Sequence, residues 1–383
     1  VEIIENNKIT VIQTRDPFNE LKKLLGKSND QKYRYLGGAV GVVNYDAIEL
    51  VEDISNENNF DQPLMEFGIY DDGLLYDNVD KKLFYFYHDE NRFDKLIMGD
   101  DTFGEFFSSD VVPNMDRKKF SNIVNKAKQY IHDGDIFQVV LSRKFEFETS
   151  GDDLKLYQTL RKLNPSPYMY HLKQDSKVII GASPEMLVRI TDDKVETFPI
   201  AGTRKITDNE EKNKALSDEL IHDEKELAEH TMLVDLGRND IGRVCKYGTV
   251  HPESLMQIKR FSHVQHIVSH VVGTLDSKND MFDAFQAVFP AGTVSGAPKV
   301  RAMQIIDEFE SEKRGPYAGA VGYFSYNGCC DFAIAIRSIF IKDNKGFVQS
   351  GAGIVSDSVA ENEFKETEHK AGAMLQALKE ASN

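Results

Sequence analysis

The chain of 383 residues carries 46 Lys and Arg against 62 Asp and Glu, which gives a formal net charge of −16. Proteins that bind nucleic acid neutralise phosphates with a basic surface, so this balance argues against a nucleic-acid partner. No apolar run reaches the roughly 18 residues of a membrane-spanning helix, and the longest tempting run is interrupted by Arg337. We therefore expect a globular protein that neither binds nucleic acid nor crosses a membrane.

The amino terminus and the cysteines bear on the compartment. The first residues, Val-Glu-Ile-Ile-Glu, lack the basic start and apolar centre of a signal peptide. Cys245 stands alone, and Cys329 with Cys330 forms an adjacent pair that matches neither a disulfide framework nor a CxxC metal site. We interpret all three as reduced thiols of a cytoplasmic protein.

The predicted helices and strands are mixed along the chain. In chain order, the patterns predict a helix over 118–132, strands over 136–147 and 178–190, helices over 213–235 and 298–309, strands over 332–341 and 347–354, and a helix over 362–380. Strands and helices do not alternate regularly, which favours an α+β fold. No Pro-rich or Ser/Gly-rich linker is present, so we predict one connected unit over 1–383, with an N-terminal part to about 112 and a core from about 113.

One short sequence occurs twice. Gly38-Ala-Val-Gly41 is followed by Tyr45, and Gly319-Ala-Val-Gly322 is followed at the same spacing by Tyr326. Glycines in a strand allow close approach of neighbouring backbones. The repetition predicts two similar strands in two related sheets.

Two predicted helices each carry a pair of glutamates three residues apart. At about 100° per residue, these glutamates lie beside an apolar stripe rather than within it. The first helix has Glu226 and Glu229 beside a stripe of Leu216, Leu220, Leu227, Ala228 and Thr231, and the second has Glu363, Glu366 and Lys370 beside Phe364, Ala371, Leu375 and Leu378. Carboxylates on facing helices would suit Mg²⁺, whereas the same pattern is also typical of a solvated helix face.

Three segments rich in glycine and hydroxyl side chains precede or follow predicted strands and helices. They are 199–204, 289–299 and 349–353. Backbone N–H groups at such turns can bind a carboxylate or phosphate, although each segment could equally be a plain turn. Lys299 follows Ala-Pro rather than Gly, so the second segment is not a phosphate-binding P-loop. His266, in a strongly patterned stretch, could be structural or catalytic.

Read together, these segments resemble the chorismate-utilising enzymes, and among them the aminating subunits of anthranilate synthases. The resemblance extends from about Gly37 onward and is densest between Lys118 and Lys370. It is carried by 134–143, 164–169, 181–185, 199–204, 223–243, 289–303 and 315–323. It implies a fold of two large antiparallel β-sheets packed together and flanked by helices.

The resemblance implies a Mg²⁺-dependent conversion of chorismate and ammonia to anthranilate and pyruvate. Glu229 and Glu366 would be the metal ligands, supported by Glu226 and Glu363. Glu185 would be the acid that protonates the departing C4 hydroxyl, and His266 the residue for the pyruvate elimination. The substrate pocket would comprise Arg337 and Tyr317 on the enolpyruvyl carboxylate, together with Gly202, Thr203, Thr293, Gly351, Ala352, Gly353 and Lys370.

Two positions discriminate among members of the family. Gln138 stands where isochorismate and salicylate synthases carry a Lys that activates water, and Ala201 stands where aminodeoxychorismate synthases carry a nucleophilic Lys. Both residues favour direct attack by ammonia, with aminodeoxychorismate synthase as the alternative. Because no nucleophilic cysteine with an associated triad is evident, ammonia would come from a separate glutamine amidotransferase subunit in a hetero-oligomer.

The resemblance also assigns part of a regulatory site. Pro167, Tyr168 and Met169 match part of the family's tryptophan feedback site. The rest of that site comes, in the family, from an N-terminal strand with a Leu-Leu-Glu-Ser element that these 383 residues do not contain.

Overall fold

The computed structural model describes residues 1–5, 8–52, 54, 62–96, 99, 102–261 and 264–383. Within these ranges the helices are α1 (Pro17–Leu24), α2 (Arg117–His132), α3 (Asp153–Leu163), α4 (Glu210–His222), α5 (Glu224–Gly242), α6 (Met281–Val288), α7 (Gly292–Ser295), α8 (Lys299–Phe309) and α9 (Ala360–Ala381). Short 3₁₀ turns occupy Tyr45–Leu50 and Phe93–Lys95. No helix in the described part of the chain is long and apolar enough to span a membrane.

The strands, in chain order, fall into two large sheets and two hairpins. They are β1 (Glu2–Glu5), β2 (Lys8–Val11), β3 (Gly38–Val43), β4 (Met65–Tyr70), β5 (Asp72–Asp77), β6 (Lys82–Tyr87), β7 (Phe106–Ser108), β8 (Val112–Pro113), β9 (Gln138–Gly151), β10 (Tyr168–Gln174), β11 (Lys177–Ser183), β12 (Met186–Thr191), β13 (Lys194–Thr197), β14 (Ile200–Lys205), β15 (His251–Arg260), β16 (Val264–Thr274), β17 (Gly296–Ala297), β18 (Ala320–Ser325), β19 (Cys330–Ile334), β20 (Ser338–Lys342) and β21 (Lys345–Ile354).

Within the part of the chain that the structure describes, one large sheet has eight strands and the other has nine. The first runs β10-β11-β20-β21-β9-β17, with β7 and β8 also paired to β9. The second runs β14-β16-β13-β12-β19-β18-β3-β4, with β15 also paired to β16. Neighbouring strands in both sheets are antiparallel. Strands β1 and β2, and β5 and β6, form separate hairpins. The predicted α+β fold of two packed antiparallel sheets is confirmed.

The sheets pack through one shared core, and helices cover the outer face of the eight-stranded sheet. Ile179 and Phe340 of the eight-stranded sheet lie in the same core as Phe332 of the nine-stranded sheet. The next residue, Ile180, points the other way, into a second core formed with α3 and α9. Because successive strand residues face opposite sides, a strand buried on both sides is apolar throughout. A third core joins α2 and α8 to β9.

Two predicted strands are in fact pairs of strands that belong to different sheets. The run 178–190 comprises β11 in the eight-stranded sheet and β12 in the nine-stranded sheet, and 332–341 comprises β19 and β20 in the same way. The chain leaves one sheet and enters the other at Pro184-Glu185 and again at 335–337. Both flanks of each crossing are apolar, so the hydrophobic pattern alone does not reveal the break.

The predicted helix over 213–235 was also wrong in extent, because it is broken at Asp223. The side chain of Asp223 accepts hydrogen bonds from the backbone N–H groups of Lys225 and Glu226 and so begins a new helix, α5. The buried residues of α5 are His230, Leu233, Val234, Asp240 and Ile241, whereas Ala228 and Thr231 of the predicted stripe are exposed. The predicted apolar stripe assumed one continuous helix. Because α5 is a separate helix, the stripe does not predict which residues of α5 are buried.

The repeated Gly-Ala-Val-Gly segments lie side by side in one sheet rather than in two related sheets. Strand β3 pairs with β18, and Gly41 stands directly opposite Gly322. A Cβ atom on Gly322 would overlap the carbonyl oxygen of Asp331 in the neighbouring strand. Glycine is therefore required here by close backbone approach within the sheet.

Candidate active site

Glu185 and Arg337 lie at the two places where the chain crosses from one sheet to the other. We call this boundary between the sheets the seam. The backbone N–H of Ile334 donates to the Glu185 carbonyl at 3.0 Å, and that of Ala182 donates to the Arg337 carbonyl at 3.1 Å. Arg337 has a φ of +52°, a left-handed conformation that is uncommon for residues other than glycine. Residues far apart in sequence are thus held together where the sheets meet.

The environment of Glu185 suits a general acid. Burial raises the pKa of its carboxyl to about 7, while the nearby Thr293 hydroxyl and the Lys370 ammonium group oppose the rise. The Thr293 oxygen is buried and makes no hydrogen bond of normal geometry among the described residues. A carboxyl that is half protonated near pH 7 can deliver a proton to a departing oxygen.

A cavity reaches Glu185 and Thr293 from the side of helix α5. It opens to solvent. Its walls include Phe198, Pro199 and Leu233. The carboxyl group of Glu185 therefore borders an open pocket lined mostly by apolar residues.

The surroundings of His266 favour the neutral form of its imidazole. Its Nδ1 lies 2.8 Å from the carbonyl oxygen of Gly202, to which it donates, and 3.1 Å from the Thr203 hydroxyl. Burial lowers the pKa of the imidazole, and the positive charge of Arg337 lowers it further, while the bond to Gly202 has the opposite effect. With the proton on Nδ1, Nε2 carries the lone pair that a general base needs.

Gly202 allows β14 to approach helix α5. It has a φ of +65°, and a Cβ at this position would lie 3.0 Å from a carboxylate oxygen of Glu226. Arg204, two residues on, donates to Glu226 and Asp223, each at 3.1 Å. The predicted supporting ligand Glu226 is thus bound to an arginine in this structure.

The carboxylates predicted to bind metal converge from two helices. Burial raises the pKa of Glu229, and the negative charges of Glu226 and Glu366 raise it further. Burial likewise raises the pKa of Glu363, with Glu366 contributing. Such mutual repulsion indicates negative charge that a cation would offset. No cluster of three or more metal-binding side chains is formed within the described ranges, so protein oxygens alone do not make a complete cage.

Lys370 connects the second carboxylate pair to the strand that faces it. Its ammonium group lies 2.6 Å from Glu366 and donates to the Gly351 carbonyl at 3.0 Å. Arg337 donates to the Lys370 carbonyl at 2.8 Å. Two cations therefore stand beside the acidic group, where a negatively charged ligand would meet them.

Tyr317 and the glycines of β21 form the opposite wall. The Tyr317 side chain is buried, which raises the pKa of its hydroxyl to about 12 and keeps it a hydrogen-bond donor. A Cβ on Gly351 would lie 2.8 Å from that hydroxyl, and a Cβ on Gly353 would lie 2.6 Å from the Gln138 amide nitrogen. Ala352, between them, is buried in the core with α2 and α8, so only its backbone could contact a ligand.

The two predicted specificity residues have different surroundings. Gln138 is buried and donates to Glu229 at 3.2 Å, while its carbonyl oxygen makes no hydrogen bond within the described residues. Ala201 is buried on β14, opposite Ile267. Neither position offers an amine that could act as a nucleophile.

The predicted feedback residues form a separate cluster. The Tyr168 hydroxyl donates to Asp331 at 2.8 Å and accepts from Arg189 at 3.1 Å. Met169 packs on the other side of the sheet, in the core with α3 and α9, and Pro167 is exposed. These three residues therefore do not share one face.

Lys299, in the glycine-rich segment, forms an ion pair with Asp240 at 2.7 Å, which agrees with the absence of a P-loop pattern there. Sequence reasoning missed Arg314 and Glu310, a buried pair beside the site. Arg314 stands in a polar run, Glu-Lys-Arg-Gly-Pro, which gives no signal of burial.

Comparison with known proteins identifies the family. Residues 2–376 match the family described as chorismate binding enzyme, and the chain belongs to that family. It is 46% identical over 398 residues to anthranilate synthase component 1 of Acetivibrio thermocellus, across 96% of this chain and 81% of that protein. It is 46% identical over 367 residues to the protein of the same name from Saccharolobus solfataricus, across 95% of this chain and 86% of that protein.

A solved structure agrees with the sequence comparison. The fold is similar to the crystal structure of anthranilate synthase component I from Streptococcus pneumoniae, with a TM-score of 0.86 and 38% identity over 97% of this chain and 89% of that one. The family resemblance that the motifs indicated is confirmed.

Proposed function

We propose that this protein is the aminating component of an anthranilate synthase, which converts chorismate and ammonia to anthranilate and pyruvate. The observation that carries the proposal is that the site contains both an acid and a base with shifted pKa values. The pKa of Glu185 is raised to about 7, and that of His266 is lowered. An acid and a base whose environments move their pKa values in opposite directions suit a reaction that needs both. The family description supplies chorismate as the ligand, and the names of the relatives supply anthranilate as the product.

In the first half-reaction, ammonia forms a bond to ring carbon C2, and both ring double bonds shift, from C1=C2 to C1=C6 and from C5=C6 to C4=C5. The C4–O bond breaks, and the hydroxyl leaves as water with a proton from Glu185, because hydroxide is a poor leaving group. The new ammonium nitrogen releases one proton to solvent. Tyr317 and Arg337 would hold the enolpyruvyl carboxylate during this step.

In the second half-reaction, His266 removes the proton on C2. The C3–O bond breaks, the ring becomes aromatic, and the enolpyruvyl group leaves and takes up a proton as pyruvate. The Nδ1–H bond to the Gly202 carbonyl keeps Nε2 as the basic atom. Thr293 and the backbone of Gly351 would bind the remaining substrate oxygens.

The residues fit a Mg²⁺ ion, which the family resemblance implies. Glu229 and Glu366 would hold it. Burial raises the pKa of Glu229, the negative charges of Glu226 and Glu366 raise it further, and this concentration of negative charge favours a divalent cation. Mg²⁺ commonly uses one or two protein carboxylates and completes its shell with water and an anionic substrate. When bound, it would neutralise a substrate carboxylate and hold the ring in place.

Ammonia would come from a second chain, a glutamine amidotransferase. The relatives are named as component 1, and a second component is the natural source of ammonia at neutral pH. In bulk water near pH 7, ammonia is mostly protonated, and the ammonium ion has no lone pair for attack. We therefore propose that a separate chain delivers ammonia to this one.

Aminodeoxychorismate synthase is the alternative, and Ala201 argues against it. A nucleophilic lysine is absent at that position, so ammonia would attack C2 directly. Gln138 similarly offers no amine to activate water.

The proposal is tested with the purified chain, chorismate, Mg²⁺ and ammonium at mildly alkaline pH, with anthranilate fluorescence as the readout. We expect fluorescence only when chorismate, ammonium and the metal are all present. Omitting ammonium and adding a chelator are the matched controls. Consumption of chorismate without fluorescence would contradict the proposal.

A further inference from the structure

The buried ion pair between Arg314 and Glu310 lies outside the residues assigned above. Arg314 Nε donates to one oxygen of Glu310 at 2.9 Å, and Nη2 donates to the other at 2.8 Å. The Arg314 side chain is 1% exposed and that of Glu310 is 7% exposed. This two-point geometry fixes the guanidinium plane and leaves its other N–H groups aimed at neighbouring segments.

Those other N–H groups bind two backbone carbonyls that adjoin predicted substrate residues. Nη1 donates to the carbonyl of Val294 at 2.8 Å, and Val294 directly follows Thr293. Nη2 donates to the carbonyl of Val140 at 2.7 Å, and Val140 is paired across the sheet with Gly353. One guanidinium thus ties α7 to strand β9.

Glu310 extends the connection to the glycines of β21. One of its oxygens accepts from both the backbone N–H and the hydroxyl of Ser142, each at 2.8 Å. Ser142 is paired with Gly351 in the sheet. The carboxylate therefore sets the position of the strand that faces the glycine wall.

Arg314 also packs against Tyr317. The guanidinium carbon lies 5.5 Å from the centre of the Tyr317 ring, within the range of a cation–π contact. The Tyr317 hydroxyl lies beside Gly351. Arg314 thus contacts the ring of Tyr317 and also the segment that carries Thr293, both of which are predicted to bind the substrate.

Stability alone does not account for such a pair. Two buried charges lose their hydration, and apolar residues of similar volume commonly stabilise a fold as well or better. The guanidinium carbon of Arg314 also lies 4.7 Å from the centre of the Tyr45 ring, which is not one of the assigned residues. A geometric role is nevertheless consistent with the arrangement, because the hydrogen-bond partners of the pair, Val294, Val140 and Ser142, each adjoin a residue of the substrate pocket.

We infer that Arg314, oriented by Glu310, is a positioning residue that sets the relative placement of Thr293, Tyr317 and the glycine wall for binding of the dianionic substrate. This inference rests on the proposed function for the identity of the substrate. It does not give Arg314 any contact with the substrate itself.

The test measures the dissociation constant of chorismate by calorimetry, with Mg²⁺ and without ammonia, and KM and kcat with ammonia. Arg314→Lys keeps the charge but loses the planar fork, and we expect at least a tenfold weaker dissociation constant and a matching rise in KM, with a smaller change in kcat. The double variant Arg314→Met/Glu310→Leu removes both charges, so it leaves no buried unpaired charge. We expect it to fold with the same substrate-binding defect.

Arg189→Lys is the matched control, because Arg189 is also largely buried and donates to a carboxylate, Asp331, at 2.8 Å. We expect its dissociation constant for chorismate to stay within about twofold of the wild type. Thermal unfolding of each variant separates a loss of fold from a loss of positioning. If the double variant is folded and binds chorismate like the wild type, the inference is wrong. If the wild type itself does not bind chorismate, the proposed function fails instead.

Discussion

Glu185 and His266 are moved away from their ordinary pKa values by the same physical cause, burial, with opposite consequences. Burial disfavours the charged form of each group, so it raises the pKa of the carboxyl and lowers that of the imidazole. Glu185 is therefore about half protonated near pH 7, while His266 is free of a proton on Nε2. The acid and the base are both in the required state at the same pH.

The pH profile tests the acid role of Glu185. As an acid it is active when protonated, so kcat/KM at constant free ammonia should fall as the pH rises through about 7. Glu185→Gln, which cannot supply the proton, should lower kcat by about 10²- to 10⁴-fold and abolish this descending limb. Glu196→Gln, another buried carboxylate, is the control and should retain the limb. Persistence of the limb in Glu185→Gln would exclude the assignment.

The His266 variant separates the two half-reactions. His266→Ala should still form the aminated ring but fail to aromatise it, because the base for the C2 proton is gone. Chromatography should show a nonaromatic amine that accumulates before any anthranilate. His270→Ala on the same strand, where His270 pairs with Glu196, is the control and should give anthranilate directly. Normal anthranilate output from His266→Ala would disprove the role.

The residue scale also shows where sequence reasoning stops. Motifs in the sequence predict Glu185, His266 and Arg337 as site residues, and the structure places Glu185 and Arg337 at the seam, where the chain crosses between the sheets. Arg314 and Glu310 were not predicted, because burial of a charged pair depends on partners from β9 and α7 that are distant in sequence. The local sequence around Arg314 and Glu310 therefore does not predict that the pair is buried.

At the scale of elements, two of the predicted site residues, Glu185 and Arg337, lie at the breaks that the hydrophobic pattern concealed. The helices α2, α8 and α9 begin and end within about two residues of their predicted bounds, because caps and amphipathic periodicity are local. The runs 178–190 and 332–341 each divide at a sheet crossing, and the divisions carry Glu185 and Arg337. A change of sheet is a tertiary event, so the apolar flanks gave no sign of it.

The paired glycines of β3 and β18 give a prediction for stability. In Gly322→Ala the new methyl group would overlap the Asp331 backbone, so the free energy of unfolding should fall by about 1–3 kcal/mol, as measured by denaturant titration. Gly372→Ala in helix α9 is the control, because no atom lies within 4 Å of the added carbon. That variant should be neutral or more stable by up to about 1 kcal/mol. Equal effects from the two changes would show that close backbone approach is not the reason for Gly322.

At the scale of the whole molecule, the charge of −16 opposes the approach of a dianionic substrate. Capture must then depend on local positive charge, which Arg337 and Lys370 provide next to the acidic residues. The overall α+β class followed from the irregular order of helices and strands. The order in which strands pair within each sheet could not be predicted from the sequence, because the paired strands are often far apart in the chain.

Ionic strength tests this electrostatic reading. Salt shortens the Debye length from about 30 Å at 0.01 M to about 8 Å at 0.15 M, and it screens the long-range repulsion more than the close contacts. We expect kcat/KM for chorismate at saturating Mg²⁺ to rise severalfold over this range, while kcat changes little. A fall in kcat/KM with salt would instead indicate a positive approach path that attracts the substrate.

The nitrogen atom in the product tests most directly whether ammonia is the nucleophile. Chorismate would be turned over with Mg²⁺ and isotopically labelled ammonium, and the products would be separated and identified by mass spectrometry. We predict that anthranilate carries the label in its amino group and that unlabelled pyruvate forms in an equal amount. Isochorismate, which carries a water oxygen, or aminodeoxychorismate as the main product would contradict the proposed function.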